Sequence, residues 1–213
     1  MEDLSYYSET RHEMLRYLPD CAKSVLDVGC GVGIFGKALI DSKQCVVTGC
    51  EPNWAAGVEA SRRLHKVFNA PFEDIDFMGN TYDAIFFNDV LEHMIDPLAC
   101  LKRARKLLSE GGVIISSIPN LRHHAILSDL MLNKNFRYRD SGVLDRTHLR
   151  FFTSRTILEL HEKAGLQVLR HDGINKTNDK KAKLLATVFP IFEDIVWLQF
   201  VTVACVNSST SSF

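Results

Sequence analysis

The sequence predicts a single α/β domain built on a parallel sheet with helices on both faces, and three features carry that expectation. Strand-like and helix-like runs alternate from residue 23 to about residue 118. A glycine-rich segment, Asp27-Val28-Gly29-Cys30-Gly31-Val32-Gly33, stands between the first strand and the first helix. Tyr82 to Asn88 is aromatic and aliphatic on successive residues, as a strand covered on both faces must be.

The elements follow in order. Residues 24–28 form a short apolar run that meets glycine, and 34–41 a helix. Residues 45–50 are β-branched and end at Glu51, giving a second strand. The helix over 54–64 has Asn53 as its cap. A weak third strand, 67–68, precedes the strong fourth, 82–88. The helix over 97–108 carries proline in its first turn, and Gly111-Gly112 ends it before a strand at 113–118. This β-α alternation makes the strands parallel, because each crossover returns the chain to the same edge. After Pro119 the rhythm changes. Residues 123–132 read as helix, and 133–152 are polar, rich in Arg and Asp, and aperiodic, which marks a functional loop rather than a plain connection. A helix over 153–164 starts at a Thr or Ser cap and ends at Gly165. Strands at 167–170 and 197–205, with an amphipathic helix at 180–189 between them, complete seven strands. One domain is expected over 1–207, with a helical lid segment at 1–22, an acceptor-side insertion at 121–153, and a polar, disordered tail at 208–213.

Bulk properties narrow the class. The 213 residues suffice for one well-buried domain. A composition of 46% hydrophobic and 24% charged residues shows no bias toward disorder. A net charge of -1 gives no general attraction to nucleic acid or to an anionic membrane. The six cysteines are scattered without a C-x-x-C pair, which reads as reduced thiols in a cytoplasmic setting. No uncharged run reaches the ~18 residues of a spanning helix, so membrane insertion is not expected.

The glycine segment suits two ligand classes. Gly31-Val32-Gly33-Ile34-Phe35-Gly36 satisfies the dinucleotide fingerprint G-x-G-x-x-G, and Glu51 at the end of the second strand can receive both hydroxyls of a ribose. A nicotinamide-dependent oxidoreductase is therefore the alternative. Asp27 speaks against it, since a carboxylate beside a pyrophosphate is repelled, whereas it suits a cationic ligand end such as an α-amino group. Asp27 capping its own loop is the structural alternative.

The combination of Leu26-Asp27-Val28-Gly29-Cys30-Gly31-Val32-Gly33, Glu51-Pro52 and Asn88-Asp89-Val90-Leu91-Glu92-His93 resembles the class I S-adenosylmethionine-dependent methyltransferases. The resemblance implies a Rossmann-like, doubly wound, mostly parallel seven-stranded sheet with a C-terminal antiparallel strand. It implies S-adenosylmethionine as cofactor, with Asp27, Gly29, Gly31 and Gly33 on the methionyl portion and Glu51 and Pro52 at the ribose. Asn88, Asp89 and Val90 then line the pocket near the sulfonium. The family's acid after the third strand is missing, and Phe72 for stacking with Glu73 for the amino group are the substitutes; Phe72 as plain core is the competing reading.

Methyl transfer is an in-line displacement, so the protein must align the acceptor and take a proton if the nucleophile is a hydroxyl or amine. Histidine suits that role. His93, His123 and His148 are the catalytic candidates, and His124 and Arg150 the substrate candidates, each near a carboxyl strand end or in the loop. Segment 138–153, with Leu144-Asp145-Arg146-Thr147-His148-Leu149-Arg150-Phe151-Phe152-Thr153, resembles a bacterial subgroup of these enzymes. Asp145 and Arg146 read as internal salt-bridge residues. No carboxylate set marks a metal site, so metal-independent O- or N-methylation of a small-molecule or glycan-type acceptor by a monomer or homodimer is expected. Nucleic acid is not expected as a partner, and a non-catalytic cofactor-binding module is the remaining alternative.

Overall fold

The computed structural model describes residues 10–206. Its seven strands are β1 (Ser24–Val28), β2 (Val46–Cys50), β3 (Lys66–Phe68), β4 (Tyr82–Asn88), β5 (Leu108–Pro119), β6 (Leu166–Lys176) and β7 (Trp197–Val206). They form one sheet in the order β3-β2-β1-β4-β5-β7-β6. Pairs from β3 across to β5 are parallel, and β7 runs antiparallel to both β5 and β6. The helices are α1 (Ile34–Lys43), α2 (Trp54–Ala60), α3 (Pro97–Lys106), α4 (His124–Leu132), α5 (Ser154–Lys163) and α6 (Lys180–Val188). The doubly wound, mostly parallel sheet with an antiparallel C-terminal strand is the architecture anticipated from the sequence.

Strand β4 shows why a continuous apolar run was needed. Ile85 and Phe87 enter the core on one face, with Leu91, Leu101 and Ile157, while Ala84 and Phe86 enter the core on the other, with Phe35 and Leu39. Phe86 is fully buried and meets Phe35 edge-on at 5.0 Å. Successive residues thus serve opposite layers, the period-2 geometry of a strand without a solvent face.

Several elements differ in extent from expectation, each for a local reason. β5 begins at Leu108 rather than 113, because Leu108 pairs with Tyr82 and the ladder then shifts register. Gly111, at φ 75°, makes the irregularity inside the strand instead of a stop before it. β6 runs through Gly173 to Lys176, well beyond 170. A Cβ on Gly173 would lie 2.2 Å from the Trp197 ring, so this glycine makes room for a cross-strand indole rather than a turn. α2 ends at Ala60, yet Leu64 beyond it stays buried.

The expected lid at 1–22 lies partly outside the described residues, and the tail at 208–213 wholly so. Within the described part, a 3-10 helix spans His12–Tyr17, and Met14, Tyr17 and Leu18 join the core on the α1 side. The insertion carries its own small core of Ile126, Val143 and Leu144. Its two ends close on each other where Leu121 N–H donates to the Phe152 carbonyl at 2.8 Å. α5 starts at the Thr153 cap, whose side chain and that of Thr156 satisfy each other's backbone.

Asn120, fully buried at the end of β5, donates to the carbonyls of Asp194 and Trp197 at 2.9 and 3.0 Å. Asn120→Ala would leave both carbonyls buried without this donor, and a loss of about 2–4 kcal/mol in urea unfolding is expected. A loss below about 0.5 kcal/mol would show that these bonds do not hold the acceptor side to the sheet.

Candidate active site

Between β1 and β4 the strand order reverses, so the connections leave in opposite directions and a crevice opens at the carboxyl ends of these strands. The glycine loop lies on its rim. Gly29, Gly31 and Gly33 have φ of 68, 53 and 81°, a left-handed run that side chains resist. The loop is also packed from outside: a Cβ on Gly29 would sit 2.7 Å from Val90 Cγ2, and one on Gly33 3.0 Å from the Ala60 Cα. Gly36 has a different task. Its Cβ would meet Leu64 at 2.6 Å and Val47 at 3.1 Å, so it lets α1 settle on the sheet.

The end of β2 fastens the loop. Cys50 carbonyl accepts from Gly29 and Cys30 N–H at 2.9 and 3.2 Å. Glu51, 3% exposed, accepts from the N–H of Gly31 and of Asn53, each at 2.9 Å. Burial raises its pKa, and those two N–H donors oppose the rise. Pro52 beside it is exposed. Asn69, which the sequence reading passed over, clamps this corner from β3: its Nδ2 donates to the carbonyls of Glu51 and Asn53 at 2.7 and 3.1 Å.

Asp27 is 2% exposed, and among the described residues its Oδ2 has no hydrogen-bond partner. Burial first, then the charge of Glu51, pushes its pKa up to about 7. At the end of β4, both amide atoms of the Asn88 side chain are likewise buried without a partner. Folded interiors rarely keep such atoms unmatched. Asp27 and Asn88 thus bring buried, unmatched polar atoms to the carboxyl ends of β1 and β4, beside Glu51 and the glycine loop, which is the chemistry a cationic amino group and a ribose call for.

Other cofactor candidates are placed differently. Asp89, at φ 53°, pairs with Arg11 and accepts from Gln199 Nε2 at 2.8 Å and Ser117 Oγ at 3.3 Å. Arg11, itself 8% exposed at φ 45°, also donates to Ser117 Oγ at 3.0 Å. This pair binds the N-terminal segment to β4, β5 and β7, and Arg11 carried no signal in the sequence. Phe72 is 2% exposed, meeting Phe77 and Phe87 at ring distances of 5.7 and 5.8 Å, so it serves the core. Glu73 is exposed.

On the acceptor side the structure brings two predicted histidines together. The insertion docks on the turn after β4 because the Glu92 carbonyl accepts from Leu149 N–H at 2.9 Å and Arg150 N–H at 3.0 Å. His93 and His148 then stand edge-to-face with centroids 4.7 Å apart. Beside them lies Glu92, 1% exposed, whose pKa burial pushes up to about 8. Glu92 was quoted in the motif but not singled out. The His93 pKa is lowered, chiefly by burial and then by His148. His123 and His124 face another neighbour. Burial and His124 push His123 down to about 4, and His124 Nε2 contacts Thr177 Oγ1 at 2.9 Å. The Arg150 guanidinium is spent on the carbonyls of Leu149 and Ile95 at 3.0 and 2.7 Å. Asp145 accepts from Thr147, and Arg146 pairs with Asp140 at 2.7 Å on the surface, both local to the loop.

A family profile described as a methyltransferase domain matches residues 3–171. A ubiquinone biosynthesis O-methyltransferase of Cereibacter sphaeroides is 27% identical over 164 residues, covering 74% of this chain and 65% of that protein. The chain thus spans about two thirds of that relative's length. Among solved structures, an S-adenosylmethionine-dependent methyltransferase of Thermotoga maritima superposes with a TM-score of 0.65 at 18% identity, over 92% of this chain and 86% of that one. An O-methyltransferase from neocarzinostatin biosynthesis, solved with S-adenosylhomocysteine and 1,4-dihydroxy-2-naphthoic acid, superposes with a TM-score of 0.60 at 17% identity, over 91% and 52%. Among the described residues, no helix is long and apolar enough to cross a membrane.

The state of Asp27 gives a measurable consequence. Its folded pKa of about 7 lies above the unfolded value near 3.9, so the folded state keeps a proton that the unfolded state has released. Its contribution to cofactor-free stability is therefore full below about pH 4 and is lost as pH rises through about 7. Thermal melts between about pH 4 and pH 8 should show this decline in the wild type and a flatter profile in Asp27→Asn. The same variant should bind S-adenosylmethionine at least roughly tenfold more weakly by calorimetry, since a charge-assisted contact is lost. Unchanged affinity would remove Asp27 from the site.

Proposed function

This chain belongs to the methyltransferase-domain family, whose methyl donor is S-adenosylmethionine, and from that premise we propose that it methylates an oxygen of a small hydroxylated acceptor. The observation that carries this reading is the Glu92–His93–His148 group at the carboxyl end of β4. An oxygen nucleophile sheds its proton as the new bond forms, and a sulfonium needs no further activation as a leaving group. Imidazoles with one nitrogen held on a backbone carbonyl supply a lone pair on the other where such a hydroxyl would be presented.

In this reading Asp27, the glycine loop and Glu51 hold the donor, and Asn88 borders its reactive end. The hydroxyl approaches from the side of the insertion, meeting His93 and His148. Oxygen attacks the methyl carbon in line, the carbon–sulfur bond breaks, and its electron pair stays on sulfur as the neutral thioether. The acceptor's proton leaves at the histidine group. Docking of the insertion on the Glu92 carbonyl aligns the two halves, and alignment is the larger part of what such a displacement requires. The O-methyltransferase activity of the Cereibacter relative, and the dihydroxynaphthoic acid held by the structural neighbour, support a hydroxyl acceptor. The nicotinamide alternative loses its footing because the family match points to the methyl donor instead.

Purified protein should bind S-adenosylmethionine and not NADH by calorimetry. With a panel of catechols, hydroquinones and hydroxylated glycosides it should release S-adenosylhomocysteine. His93→Ala should lower kcat by about 10²–10⁴ with cofactor affinity little changed. Preferential NADH binding, or transfer confined to amines, would overturn the proposal.

A further inference from the structure

We propose that Glu92, His93 and His148 form a site for one divalent transition-metal ion. One ligand atom from each of the three lies within 4.8 Å of the others. Such a cluster alone would be unremarkable; the state of each donor atom is what distinguishes it.

Both carboxylate oxygens of Glu92 are buried and, among the described residues, lack any hydrogen-bond partner. The His148 Nδ1 lies 3.0 Å from the Val143 carbonyl, and the His93 Nδ1 lies 3.2 Å from the Thr147 carbonyl. A carbonyl can only accept, so each Nδ1 carries the hydrogen and each Nε2 is left with its lone pair. A backbone carbonyl behind the ring is the outer support that metal-binding imidazoles commonly have. His148 Nε2 stands 4.0 Å from Glu92 Oε1, too far for a hydrogen bond. Two donors sharing one tetrahedral ion at about 2.1 Å each stand roughly 3.4 Å apart, so a side-chain adjustment of about half an ångström brings this pair onto one ion.

The frame is rigid. Glu92 and His93 belong to the turn that ends β4, and His148 to the insertion, which two backbone bonds pin to the Glu92 carbonyl. Two imidazoles and one carboxylate suit zinc, iron, manganese or cobalt better than calcium or magnesium, which prefer all-oxygen shells. Three protein ligands leave coordination positions open. This replaces the metal-independent transfer expected from the sequence.

Metal binding stands on these atoms alone, whereas its use in catalysis rests on the hydroxyl-acceptor reading above. There, with both Nε2 lone pairs on the ion and so no longer the proton acceptor, the acceptor oxygen would occupy an open position, lose its proton to solvent, and attack the methyl carbon as the carbon–sulfur bond breaks onto sulfur.

The test uses the full chain, stripped with a chelator and without cofactor or acceptor, titrated with Co²⁺ and followed by visible absorption and calorimetry. One equivalent should bind with a tetrahedral or five-coordinate cobalt spectrum. Glu92→Gln and His148→Ala should each weaken binding at least roughly tenfold while S-adenosylmethionine affinity stays within about twofold. If either variant fails to fold, His93→Gln and the rise in wild-type melting temperature with Zn²⁺ give the same reading. Absence of saturable Co²⁺ binding, or binding that the variants leave unaltered, overturns the site. Bound metal without turnover on any hydroxyl compound would overturn the acceptor reading and leave the site standing.

Discussion

Three carboxyl groups, Asp27, Glu51 and Glu92, are sunk to 3% exposure or less at one edge of the sheet, and no arginine or lysine neutralises them at hydrogen-bond distance among the described residues. Burial without a countercharge is among the largest single costs a domain can carry. Its mark is the upward displacement of Asp27 to about 7 and Glu92 to about 8. The cost is set against stability from the two apolar layers on β4 and β5, where Phe86, Phe87, Ile114 and Ile115 are fully buried. A fold holding uncompensated acids beside so firm a core has them there for cationic ligands. In the proposed reading Asp27 meets the donor's amino end and Glu92 a metal ion.

The same edge explains how much of the architecture was legible. Strands covered on both faces leave runs of consecutive apolar residues, and crossovers fix their direction, so strand count and parallel order could be read from periodicity alone. Glycine was the weak point. Gly111 reads as a stop in the sequence yet makes an irregularity inside β5, and Gly173, which carries no signal there, admits the Trp197 ring. The residue type signals that something special happens to the backbone; only the neighbour across the sheet says what.

The proximity of Asp27, the glycines and Glu51 was legible for a related reason: they lie on consecutive elements whose order dictates their meeting. The acceptor side depends on distant pairing. His93 reaches the Thr147 carbonyl across 54 residues, and Arg11 reaches Ser117 across 106. Nothing local encodes those contacts. Asp89, conspicuous in the motif, is consumed by Arg11 and Gln199, while its inconspicuous neighbour Glu92 keeps both oxygens free.

Histidine content could not discriminate either, because these imidazoles differ in what their second nitrogen does. His161 uses both, on the Ile157 carbonyl at 2.8 Å and Ser116 Oγ at 3.1 Å. His171 also uses both, on Thr202 and Ser154 hydroxyls at 2.9 Å each. Those rings are cross-links. His93 and His148 each spend one nitrogen on a backbone carbonyl, which sets the tautomer and leaves the other lone pair open, that of His148 lying 4.0 Å from Glu92 Oε1. A ring held by one nitrogen and free at the other is poised for a ligand, and two such rings around a buried, unmatched carboxylate make the acceptor edge a place for chemistry rather than for packing.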